Sequence, residues 1–95
     1  MPAYVIFQED IQDQEKFAEY KTLSPASISQ FGGKFIVRGG DITELEGQFE
    51  YERIVVISFP DKAAALAWYN STEYEPAKNM RLSCSSGVSV LVEGA

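Results

Sequence analysis

Histidine is absent from this 95-residue chain, and cysteine occurs once, as Cys84. A Ser-His-Asp or Cys-His pair, a histidine-ligated zinc and a proximal-histidine haem all need an imidazole, so these chemistries are excluded together. One thiol cannot close an internal disulfide. Basic residues are few, 8 against 14 acidic ones, which leaves a net charge of -6. That balance repels phosphate-rich partners, and no nucleic acid is expected. No apolar run approaches the roughly 18 to 20 residues of a membrane crossing. Met1-Pro2-Ala3-Tyr4 carries neither the basic stretch nor the cleavage site of a secretory signal. The expectation is a cytoplasmic protein with no membrane contact. Neither Gly-x-Gly-x-x-Gly nor Gly-Lys-Ser/Thr occurs, so no phosphate loop is assigned. The acids between 41 and 52 lack the spacing of a calcium loop. No metal and no cofactor are assigned.

What is present fits one domain. The composition, 45% apolar and 23% charged, is that of an ordinary globular protein, and this length supports a single core over residues 1–95. The chain is organised around Gly32-Gly33-Lys34-Phe35-Ile36-Val37-Arg38-Gly39-Gly40, a short strand fenced by glycine pairs that serve turn geometry. Before it, Ala3 to Gln8 is a β-rich apolar run closed by Glu9-Asp10. Asp13 is a helix cap ahead of a stripe marked by Phe17, Tyr20, Leu23, Ile28 and Phe31. Pro25 falls inside that stripe, so a kink or a restart capped by Ser24 is expected. After a polar connection, Arg53 to Phe59 is the most β-branched run and marks a central strand. Asp61 caps an alanine-rich helix from Lys62 to Tyr69. In Asn70-Ser71-Thr72 the Asn-x-Thr spacing matches a glycosylation signal, but without a secretory segment Ser71 is assigned as the cap of a short helix from Thr72 to about Met80. Gly87 to Glu93 is the last strand.

The order β-α-β-β-α-β is the α+β, ferredoxin-like arrangement with a four-stranded antiparallel sheet and central first and third strands. Lys34, Arg38 and Glu93 suit its edges. The strands do not alternate polar with apolar residues. Val55, Ile57 and Phe59 oppose Ile54 and Val56, while Val5 and Phe7 oppose Tyr4 and Ile6. Two apolar faces need two covers, and with one helical layer per chain the second is most simply the sheet of another copy. A homodimer is expected.

Several signatures recur in order along almost the whole chain: Tyr4-Val5-Ile6, Tyr20, Gly32-Gly33 with Val37-Arg38-Gly39-Gly40, Glu46-Gly47, Phe59-Pro60, Ala63 to Ala65, Trp68-Tyr69 with Ser71 and Tyr74, Arg81, and Val92-Glu93-Gly94. In these the chain resembles the bacterial "domain of unknown function 1330" family, a branch of the dimeric α+β barrel superfamily. The resemblance implies a ferredoxin-like subunit whose sheet packs on a partner's, and it supplies no activity.

Arg38 leads the candidate site residues, as a permanent cation able to grip a carboxylate with two donors. The competing assignment is a structural pair with one of the protein's acids, or an edge-protecting charge. Tyr20, Trp68, Tyr69 and Tyr74 can line an aromatic pocket for a small ligand, or Trp68 and Tyr20 can be core. Glu93 and Arg53, at strand ends, are candidates for proton transfer or anion contact, or for surface ion pairs. Cys84 has no base beside it in sequence and is assigned as an inert thiol. Two functions compete: a small-molecule binding protein, extending to a cofactor-independent enzyme, in which Arg38 holds an anionic oxygen, and a non-catalytic dimeric interaction module.

Overall fold

The computed structural model describes residues 1–95. Its elements are β1 (Ala3–Ile11), α1 (Gln14–Gln30), β2 (Lys34–Arg38), β3 (Arg53–Phe59), α2 (Lys62–Tyr69), α3 (Glu75–Cys84) and β4 (Ser85–Glu93). The strands form one antiparallel sheet in the order β2-β3-β1-β4. This is the ferredoxin-like topology, with its second helical crossover divided into α2 and α3.

Strand periodicity decides which face is covered. In β1 the odd positions Ala3, Val5, Phe7 and Glu9 are buried, and in β3 Val55, Ile57 and Phe59 are buried. These meet Phe17, Tyr20, Ile28, Ala65, Trp68, Tyr74 and Ala77 from the helices to form one core. The opposite face has no cover. Its rows are set by register: Val92 beside Tyr4, Ile6 between Val90 and Val56, and Gln8 between Val88 and Ile54. The three β4 valines are about half exposed.

Asp13 and Asp61 cap as expected, accepting from the backbone N–H of Lys16 at 3.1 Å and of Ala64 at 2.8 Å. Gly32, at φ +78°, ends α1 in the left-handed region that favours glycine. The connection from 39 to 52 has no helix or strand.

Three details differ from the sequence expectation. Both outer ends are longer, since β1 continues past Gln8 to Ile11 and pairs with β4 from Ser85 onward. Ser71 does not cap α3. Its hydroxyl donates to the Trp68 carbonyl at 2.7 Å and accepts the Tyr74 N–H at 3.1 Å, fixing the turn between helices, and α3 begins after Tyr74 with no side-chain cap. Finally, α1 runs unbroken through Pro25, and Ser24 is a buried interior residue of the helix rather than a second cap. Proline has no N–H for the carbonyl four residues earlier, that of Lys21. That carbonyl accepts instead from Arg38 Nη2 at 3.0 Å, so the edge strand satisfies the acceptor left free.

Candidate functional site

The buried face of the sheet changes character toward one end. Along β1 the series Ala3, Val5, Phe7 continues to Glu9, which is only 3% exposed. Along β3 the series Phe59, Ile57, Val55 continues to Arg53, directly opposite Glu9 in the register. On α3 the spacing Ala77, Arg81, Cys84 is that of one helical face, and all three are buried. Period two in the strands and 3.6 in the helix therefore bring a carboxylate and two guanidiniums into one layer.

Aromatic groups surround them. The Arg81 guanidinium lies 4.8 Å from the centre of the Phe7 ring, and that of Arg53 lies 5.2 Å from Phe17, both within cation–π range. Arg81 Nε donates to the Tyr74 hydroxyl at 3.3 Å, and the Tyr74 and Tyr20 hydroxyls are 3.1 Å apart. Three buried polar atoms have no hydrogen-bond partner: Glu9 Oε2, Arg53 Nε and Arg81 Nη2. Buried polar atoms are nearly always satisfied, and these three set the cluster apart from the rest of the core.

Burial raises the Glu9 carboxyl above the ordinary carboxylate range, against the opposing pull of Arg81 and then Arg53. Burial likewise pushes the Tyr20 phenol well above its ordinary value, with Tyr74 adding to the rise. Tyr74 is raised less freely, because burial is opposed chiefly by Arg81. Both phenols therefore stay protonated near neutral pH. The Cys84 thiol is buried, donates to the Arg81 carbonyl at 3.7 Å and is raised by burial and then by Asp13. It is a poor nucleophile.

Glu9 separates two hollows. On the α1 side a fissure of about 10 Å³ is lined by Glu9, Tyr20, Lys21, Arg38 and Arg53 among others, room for about one water. On the α3 side a cleft of about 320 Å³ has Phe7, Glu9, Tyr69 and Arg81 among its walls, with Ser85 to Ser89 along one side. That volume is at the lower end of small-molecule sites, roughly 300 to 1,000 Å³. Gly87, opposite Glu9, shapes this wall, since a Cβ there would run into the Gln8 carbonyl oxygen. A larger depression of about 530 Å³ follows the 39–52 connection, but no residue lining it is buried.

The candidates named from the sequence are distributed as follows. Tyr20 and Tyr74 join the buried polar cluster, and Tyr69 lines the cleft. Trp68 is fully buried behind them, its ring centre 4.1 Å from that of Tyr74 and its indole N–H donating to Ser27 Oγ at 3.1 Å. Arg38 is an exposed rim residue of the fissure, stacked 4.3 Å from the Phe35 ring centre. Glu93 pairs with Ala3, six residues and roughly 20 Å along β1 from Glu9. Glu9 and Arg81 were not among the sequence candidates. The signal for Glu9 was the strand alternation carried two residues further, and for Arg81 the helical spacing from Ala77.

A family model described as "Domain of unknown function (DUF1330)" matches residues 2–95. The chain belongs to this family. Comparison with curated proteins gave no match. Among solved structures, a protein of unknown function from Rhodopseudomonas palustris is 18% identical, with a TM-score of 0.74 over 96% of this chain and 78% of that one. A dimeric ferredoxin-like protein of unknown function from a Jannaschia species is 20% identical, with a TM-score of 0.73 over 99% and 100% of the two chains. SnoaB, a cofactor-independent oxygenase from Streptomyces nogalater, is 14% identical, with a TM-score of 0.69 over 99% and 93%. At these identities the likeness is one of fold. No helix of the DUF1330 chain described here is long and apolar enough to cross a membrane.

Proposed function

We propose that this family member is a cytoplasmic, single-domain homodimer that binds a small organic molecule in the α3-side cleft and can transfer a proton there without a cofactor. The observation that carries this reading is a cleft of about 320 Å³ lined by a buried carboxyl, Glu9, and a buried guanidinium, Arg81, each with an atom that has no partner in the protein. Glu9 would accept a proton from the bound molecule, and the electron pair released would settle on a substrate oxygen held by Arg81. Tyr69 supplies an apolar wall, and Tyr74 and Tyr20 hold Arg81 in place. Arg81 takes the anion-holding role that the sequence suggests for Arg38, whose Nη2 already serves Lys21, and Glu9 takes the acid–base role suggested for Glu93. The oxygenase of the same fold lends the reading only the precedent that such a scaffold can work without a cofactor.

Benzamide, a neutral planar probe, tests the cleft. In an amide-resolved NMR titration it should move the signals of Phe7, Arg81 and Ser89 while leaving the 39–52 connection still. Shifts confined to that connection, or none at all, would leave only the non-catalytic module. The homodimer rests on the uncovered rows around Val88, Val90 and Val92 and on the dimeric neighbour. Sedimentation equilibrium should give twice the chain mass and, for Val90→Lys, the chain mass alone; a monomeric wild type would refute it.

A further inference from the structure

The charge around Glu9 is the reverse of the charge of the chain. Of 8 basic residues in the protein, Lys21, Arg38 and Arg53 line the fissure on one side of Glu9 and Arg81 lines the cleft on the other. Glu9 is the sole acid lining either hollow, although acids outnumber bases in the whole chain, 14 to 8. Half of the positive charge of an acidic protein thus lines the two hollows beside one carboxylate.

The two sides of Glu9 are unequal. Arg53 faces it across the strand pair, from the closed side, and exerts the weaker of the two opposing pulls on its carboxyl. Arg81 stands in the open cleft. It is 7% exposed, its Nε is taken by Tyr74, its Nη2 is buried without a partner, and its Nη1, which makes no hydrogen bond within the protein, is the donor left to the cleft. The space before it is bounded by Phe7 and Tyr69, whose rings suit a flat apolar body. Two guanidiniums, Arg81 and Arg53, share the one carboxylate of Glu9, and the positive charge left over suits an anion brought from outside.

We infer that the ligand class is a planar organic monoanion, a carboxylate on an aromatic or conjugated body, with its charged oxygen on Arg81 Nη1 and its apolar part between Phe7 and Tyr69. The inference rests on the small-molecule reading of the cleft and adds the sign of the charge. One carboxylate restores neutrality to the group of Arg53, Glu9 and Arg81, whereas a phosphate dianion overshoots it and has no body to fill the apolar part of the cleft.

Benzoate, benzamide and inorganic phosphate separate the possibilities in calorimetric and NMR titrations of the full chain. Benzoate should bind at least tenfold more tightly than benzamide, and phosphate should leave the cleft amides unmoved. Because removing Arg81 alone strands Glu9, the test variant is the double substitution Glu9→Gln with Arg81→Met, which removes both charges together. It should abolish the preference for benzoate and retain benzamide binding. Equal affinity for benzoate and benzamide would overturn the monoanion while leaving the cleft reading intact. Cleft shifts with phosphate, or a benzoate preference surviving in the double variant, would also overturn it. Silence of the cleft amides toward every probe would remove both readings.

Discussion

Arg38 and Arg81 line hollows on opposite sides of Glu9, and their surroundings differ in the property that matters for binding. Arg38 is exposed, rests on Phe35 and spends a donor on the Lys21 carbonyl. Arg81 is buried, lies over Phe7 and keeps Nη2 without a partner. The first arginine completes the protein's own hydrogen bonding, at a carbonyl that Pro25 leaves open. The second is left incomplete by the protein. A guanidinium at a strand end is thus a poor guide to function by itself, and the state of its donors decides.

Substitutions should divide these flanks by size. Arg81→Met leaves Glu9 buried with one fewer cation nearby and removes the donor to the Tyr74 hydroxyl, and stranding buried polar groups in this way costs on the order of 1–3 kcal/mol. Urea denaturation near pH 7 should give a loss of this size, and the loss should shrink toward pH 4 as Glu9 gains a proton. A loss equal at both pH values would disconnect Arg81 from Glu9.

The acid between them comes next. The folded Glu9 carboxyl is raised above its unfolded value, so the native state holds the proton more tightly. Stability from this group is then complete below the unfolded value and declines as pH rises through the folded one. Glu9→Gln, which mimics the protonated acid, should therefore match the wild type at pH 4 and exceed it at pH 7. Thermal melts across that range measure the difference, and a variant less stable at pH 7 would reverse the assigned sign. The smallest effect is expected at Arg38→Ala, where the freed Lys21 carbonyl can turn to water; the change should stay within about 0.5 kcal/mol. A loss several times larger would mean that Pro25 depends on Arg38 to keep α1 whole.

The fold was legible because it rests on short-range regularities. Alternation in β1 and β3, caps at Asp13 and Asp61, and glycines at the turn after α1 each occupy a few neighbouring residues. The second apolar face was legible for the same reason, since Ile54 and Val56 alternate with Val55 and Ile57. The site was only partly so. Tyr20, Tyr69 and Tyr74 stand out as aromatic residues, but Glu9 looks like the polar stop of an apolar run, and only the extra pairing of β1 with β4 from Ser85 shows that its face is still covered. Arg81 looks like a charge favouring the end of a helix dipole, a surface role, until α1 is packed against α3. The service of Arg38 to Lys21 joins two elements through a proline's missing N–H, and no local pattern encodes that.

Trp68, the chain's one tryptophan, stands against Tyr74, whose hydroxyl touches both Tyr20 and Arg81. Its fluorescence comes from a single environment one ring away from the cluster, with no second indole to dilute the signal. A molecule that draws Arg81 off Tyr74 would alter the neighbour of the only indole in the protein, so occupancy of the cleft can be followed by emission from the unlabelled, unmodified chain.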